Sequence, residues 1–164
     1  MSKFSPEIRD PTRGDLRAII ELMREFAEYE SLVDYLEVTE ERLSEVMFGT
    51  DSFVKGLLAF NGETPIAYAL FYHSFSSFRG QKSVYLEDIF ITKEYRRSGI
   101  GRQLLREVAK AGKETGAERM DFQVLKWNTP AIDFYKKHGA SIDSEERHVK
   151  FTDNAFQKLA GNTD

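Results

Sequence analysis

VYLEDIFITKEYRRSGIGRQLL, residues 84–105, joins two periodicities across a pair of glycines. Its first eight residues are aliphatic or aromatic except for Glu87 and Asp88, and they read as a central strand. From residue 98 onward Ile100, Leu104, Leu105, Val108 and Ala109 fall on one helical face, which predicts a helix over 98–113 that ends at Gly112 or Gly116. Between them lie Arg96, Arg97, Ser98, Gly99 and Gly101. Backbone amides at a helix N-terminus are unpaired and, with the helix dipole, favour an anion. Glycines 99 and 101 let the main chain approach a pyrophosphate without an intervening Cβ, and Arg96, Arg97 and Arg102 can add charge-assisted hydrogen bonds. A plain turn would use the same glycines. No Gly-Lys-Ser/Thr follows, and the third glycine of a dinucleotide fingerprint is missing, so neither nucleotide motif is complete.

Working outward, a short strand is expected over 4–9, and Thr12 or Asp15 can cap a helix running to about Tyr29. Thr39 opens a second short helix that ends near Gly49. Strands over 53–60 and 65–74 meet at Asn61-Gly62, a strong hairpin signal. After the central strand and helix, 119–125 reads as another strand. NTPAIDFYKKHG (128–139) carries Asn128 or Thr129 as cap, Pro130 in the first turn and Gly139 as stop. A terminal β segment is expected over 148–152. The fold class is α/β (a mixed α+β sheet): one domain over 1–164, with a central, partly antiparallel sheet flanked by helices.

The 164 residues carry a net charge of −4, which argues against a general nucleic-acid binder. The charge is unevenly placed. Nine carboxylates between Glu21 and Glu45 face only Arg24 and Arg42, whereas seven cations between Lys93 and Lys113 face only Glu94 and Glu107. Such runs form solvated helix faces, but together they suit a protein that holds an anion in one place and a cation in another. With no cysteine, a disulfide, a thiolate nucleophile and a Cys-based zinc site are excluded. His73, His138 and His148 have no ligand spacing, so no metal is expected. No apolar run approaches the roughly 18 residues of a membrane span, and a cytoplasmic protein without membrane partners is the expectation.

Three motifs in order carry a resemblance. Arg96-Arg97-Ser98-Gly99-Ile100-Gly101 has the form R-x-x-G-x-G and resembles the acyl-CoA pyrophosphate loop of the GNAT superfamily of N-acetyltransferases. YLEDIFI resembles that family's central strand, and WNTPAIDFYKKHGA its later motif. EFAEYE, VTEE and the wording of the loop resemble the spermidine/spermine (diamine) branch, which includes thialysine acetyltransferases. The resemblance implies acetyl-CoA as co-substrate. Its pantetheine arm would pair with Ile89, Phe90 and Ile91, and its pyrophosphate would rest on Arg97, Ser98, Gly99, Ile100, Gly101 and Arg102 with Arg96 beside them. Asn128, Thr129, Pro130 and Ala131 would close over it. Tyr135 would protonate the departing thiolate, since a phenol can act as general acid. Glu87 would meet the amine as base or binding group.

Tyr29, Glu30, Asp121, Phe122 and Gln123 match substrate segments of the polyamine enzymes, and the acidic run 21–45 would concentrate a cationic amine. Asp88 is expected to be structural, on the opposite face of the strand from Glu87. Trp127 is expected to pack beside Asn128. After Ser141 the chain reads IDSEERHVKFTD and lacks the Gly-Trp pair of the polyamine enzymes. A shorter diamine or a lysine analogue such as thialysine is therefore as well matched as spermidine. A protein lysine acetyltransferase and a non-catalytic acyl-CoA-binding module remain alternatives. A homodimer is carried over from the family.

Overall fold

The computed structural model describes residues 5–161, so Phe4, the expected start of the first strand, lies outside the described residues. The chain divides into two compact units, Met1–Gln123 and Val124–Asp164. In the first unit the elements are β1 (Glu7–Arg9), α1 (Leu16–Glu30), α2 (Glu40–Phe48), β2 (Lys55–Asn61), β3 (Thr64–Ser76), β4 (Gln81–Ile91), α3 (Ile100–Glu114) and β5 (Arg119–Asp121). The second unit holds α4 (Thr129–Lys137) and α5 (Asp153–Leu159).

The five strands form one sheet in the order β1-β2-β3-β4-β5, antiparallel except for the parallel pair β4–β5. Each face of the sheet is covered by helices. On one face Ile100, Leu104 and Val108 of α3 pack with Ala67, Ala69, Phe71, Val84 and Leu86. On the other, Leu16, Ile19 and Leu22 of α1 and Leu43 and Met47 of α2 pack with Leu58, Tyr68, Leu70 and Phe90. The 3.6-residue apolar period of the helices and the alternation of β3 meet in these two layers. Gly112 lets α3 lie close on the sheet, since a Cβ there would stand 2.3 Å from Val84 Cγ2.

The entry into α1 is tied to the sheet by charge. Arg9 on β1 donates to both carboxylate oxygens of Asp15 at 2.8 and 2.9 Å, and Asp15 also accepts from the Thr12 amide at 2.7 Å. These hydrogen bonds hold the Asp15 carboxyl well below its ordinary range. Thr39 caps α2 by accepting from the Arg42 amide at 3.2 Å.

Two expectations are corrected. The strand predicted over 119–125 is only Arg119–Asp121, which pairs with Ser83–Tyr85 and then stops. Residues 148–152 are not a strand, and α5 follows them instead. Val149 and Phe151 do alternate with polar residues, but both are exposed and no strand of the described residues pairs with them. Trp127 is 53% exposed.

Candidate active site

The parallel pairing of β4 with β5 ends at Tyr85–Asp121, while β4 continues to Ile91 against β3 alone. Residues 86–91 therefore present one edge that β5 does not use. Ile89 and Ile91 pack toward the α3 layer, and Phe90 is buried on the α1 side with its ring 5.4 Å from that of Phe26.

Beyond β4 a short turn at Lys93–Tyr95 leads into the glycine loop. Arg97 has φ 63° and Gly99 has φ 91°, so two of three consecutive positions are left-handed. At Gly99 nothing lies within 4 Å of an added Cβ, and the dihedral alone calls for glycine. Gly99 is also the N-cap of α3 and offers no side chain to its first amides. Those amides, with Gly101 and Arg102 in the first turn, face an end of the helix that carries no acidic residue. Ile100 anchors the turn in the core. The Ser98 hydroxyl donates to the Tyr95 carbonyl, which fixes the loop from within.

The Arg96 side chain is engaged with α1 and β4. Its guanidinium lies 4.4 Å from the ring centre of Tyr29 and 5.5 Å from that of Phe90, and its Nε donates to the Ile91 carbonyl at 3.0 Å. Tyr29 is thereby held at the last turn of α1, next to Glu30.

A second feature was not read from the sequence. Leu70 pairs with Asp88 but Phe71 pairs with Leu86, so Glu87 is an extra residue, a β-bulge in β4. The bulge resets the alternation and overturns the expectation of opposite faces. Tyr68 and Tyr72 lie two apart from Leu70 on the α1 side of β3. The Tyr72 hydroxyl donates to Glu87 at 3.2 Å and the Tyr68 hydroxyl to Asp88 at 3.1 Å. Both carboxylates thus belong to the same face. The phase jump in the apolar pattern, Val84 and Leu86 followed by Ile89 and Ile91, is the signal in the sequence that marks it.

Glu87 is exposed, whereas Asp88 lies deeper. Burial, with the neighbouring charges of Glu87 and Glu30, pushes Asp88 up to about 6 even though the Tyr68 hydrogen bond opposes the rise. Burial also raises Glu30. Tyr72 is pushed up to about 12 by burial and by Glu87. The Tyr68 phenol is raised well above its ordinary value by burial, then by Asp88, with Glu30 and Glu87 adding to it. Glu30 and Glu87 thus both act on Asp88, and among the described residues no ion pair involves any of the three.

The remaining predicted residues divide. Asp121 is held by Arg119 in a two-pronged ion pair, so its carboxylate already has a cation. Phe122 packs on the α3-side core and Gln123 is exposed at the end of the first unit. In the second unit Asn128 is buried and its Oδ1 accepts from the Ala131 amide at 3.4 Å, which caps α4, with Thr129 its first residue and Pro130 in its first turn. Tyr135 is buried on the same helix, edge-on to Phe134 with ring centres 5.4 Å apart.

The chain is 36% identical to the thialysine N-epsilon-acetyltransferase of Bos taurus, over 94% of this chain and 96% of that protein. It is 31% identical to the human spermidine/spermine N(1)-acetyltransferase-like protein 1, over 93% of this chain and 23% of that longer protein. Among solved structures, an integron cassette protein from the mobile metagenome of V. cholerae superposes with a TM-score of 0.79 at 25% identity, covering 96% of this chain and 98% of that one. The profile of the acetyltransferase (GNAT) family matches residues 16–140, from α1 through the glycine loop to the end of α4, and the chain belongs to that family of acetyltransferases.

Proposed function

We propose that the protein transfers the acetyl group of acetyl-CoA to a primary amine of a small cationic molecule, a diamine, a polyamine or a lysine analogue such as thialysine. One observation carries the acceptor class: Glu30, Glu87 and Asp88 share one region of the first unit, and among the described residues no ion pair holds any of them. The negative charges of Glu30 and Glu87 add to the burial that raises Asp88, and an ammonium group relieves that repulsion when it binds. The names of the relatives support the same class. The missing Gly-Trp pair after Ser141 leaves the shorter acceptors as well matched as spermidine.

In this reading the α3 N-terminus and the loop 97–102 take the pyrophosphate, and the open edge of β4 at residues 89–91 takes the pantetheine arm. The acceptor ammonium docks at Glu30 and Glu87. It must lose a proton before its lone pair can attack the thioester carbonyl, and Glu87, alone or through water, accepts it. The amine nitrogen then bonds to the carbonyl carbon, the carbon–sulfur bond breaks, and the thiolate takes a proton from Tyr135. Attack is direct, since the chain has no cysteine to carry an acyl group. We assign the two units to a single catalytic domain, in keeping with a family match that runs through both. The assembly is proposed to be a cytoplasmic homodimer that needs no metal.

The test is release of free thiol from acetyl-CoA with thialysine, lysine, putrescine, spermidine and spermine as acceptors. Turnover on one or more of these small cations, above that on a histone-like lysine peptide, is the expected result. Turnover on the peptide alone would replace the reading with a protein acetyltransferase. CoA binding without any turnover would point to a regulatory module.

A further inference from the structure

Arg96 opens the R-x-x-G-x-G run, yet its side chain is engaged away from the glycines. The guanidinium carbon sits 4.4 Å from the centre of the Tyr29 ring and 5.5 Å from that of Phe90. Its Nε is committed to the carbonyl of Ile91, the last residue of β4, at 3.0 Å. Phe90 in turn stacks on Phe26, one turn before Tyr29 on α1. The stack therefore runs from α1 through Arg96 to the end of β4 and on into the loop. Tyr29 is 37% exposed, with one face covered by the guanidinium. The main chain after it turns sharply, with Ser31 at φ 59° and the Leu32 amide returning to the Ala27 carbonyl at 2.8 Å.

We infer that Arg96 is a positioning residue for the acceptor: it fixes Tyr29, and with it the Tyr29–Glu30 end of α1, to the strand and loop that carry the cofactor. This rests on the reading that Tyr29 and Glu30 contact the amine. A planar guanidinium can stack on a phenol ring and donate from Nε at once, whereas a lysine ammonium is a point charge that cannot do both. Charge alone is therefore insufficient at this position. The consequence is a link between the two substrates: the acceptor contacts at the end of α1 and the strand and loop that carry the cofactor share the Arg96 side chain.

A double-mutant cycle on Arg96→Lys and Tyr29→Leu tests it, with KM for thialysine and, separately, the dissociation constant of CoA as readouts. Arg96→Lys should raise the amine KM about five-fold or more while CoA affinity changes less than about two-fold, and the double variant should be no worse than the more affected single variant, because both remove one contact. Arg96→Gln, which also lacks the guanidinium, should behave like Arg96→Lys. Multiplicative effects, or a loss of CoA affinity equal to the rise in amine KM, would overturn the inference and return Arg96 to the phosphates. A normal amine KM in Tyr29→Leu would overturn it together with the assignment of Tyr29 to the acceptor. Absence of turnover in the parent enzyme on thialysine, lysine, putrescine, spermidine and spermine alike would show instead that the acceptor reading itself had failed.

Discussion

The hydroxyl of Tyr68, a residue with no solvent exposure, donates to the carboxylate of Asp88 at 3.1 Å. A core phenol thus supports a carboxyl whose acidity burial has weakened to about 6. The sign of its effect on folding follows. The native state holds the Asp88 proton more tightly than the unfolded chain does, so the group does not destabilise the fold below about 3.8 and destabilises it fully above about 6. Asp88→Asn, which keeps an oxygen for Tyr68, should be more stable than the parent at pH 7 by about 1–2 kcal/mol, with the gain fading toward pH 4. Denaturant melts at several pH values check this. The same substitution should reduce acetylation of the amine, because an anion facing the acceptor is lost.

Asp15 works in the opposite direction. Its carboxyl is held low by Arg9, so its stabilising contribution is present above the unfolded value near 3.8 and is lost as the pH falls through its native value. Asp15→Asn should destabilise the protein by about 2 kcal/mol at pH 7 and change little in strong acid, where both proteins carry a neutral group. Thermal melts at neutral and acid pH separate the two cases.

Tyr135→Phe isolates the proposed acid. Removing one hydroxyl should lower kcat about 100-fold or more and leave CoA affinity within about two-fold. Stopped-time thiol assays and calorimetry with CoA give the two numbers, and unchanged turnover would remove Tyr135 from the chemistry.

Gly112 tests the packing of α3. An alanine there would place its Cβ 2.3 Å from Val84 Cγ2, so Gly112→Ala should destabilise by about 1–3 kcal/mol. Trimming the opposing side chain in Gly112→Ala/Val84→Ala should recover part of that loss, a non-additivity visible in denaturant melts.

What could be read beforehand was local or periodic. The strand over 84–91, the helix after Gly99 and the α4 segment with Asn128, Pro130 and Gly139 all carry their own start and stop signals, and each is found close to its expected place. The hairpin at Asn61-Gly62 is also present, with Gly62 at φ 60° in the turn. What escaped depends on a partner distant in the chain. The bulge at Glu87 exists only relative to the register of β3, and the early end of β5 only relative to β4. Arg96 reads in the sequence as a cation for the pyrophosphate, and its contact with Tyr29 escaped because that residue is 67 positions away. Val149 and Phe151 carry a strand-like alternation, but periodicity cannot supply the neighbouring strand.

The separation of β4 from β5 after Tyr85 has a consequence for the protein at rest. An unpaired strand edge is a template for adventitious pairing, and proteins ordinarily guard such edges at the margin of a sheet. Here it lies between two consecutive strands, along residues whose side chains are largely apolar. A ligand with its own amide groups, laid along that edge, would act as a temporary strand and keep other chains away. On this view, occupancy governs shelf life as well as turnover: the empty enzyme should exchange its β4 amides faster and precipitate sooner on warming than the same enzyme saturated with CoA.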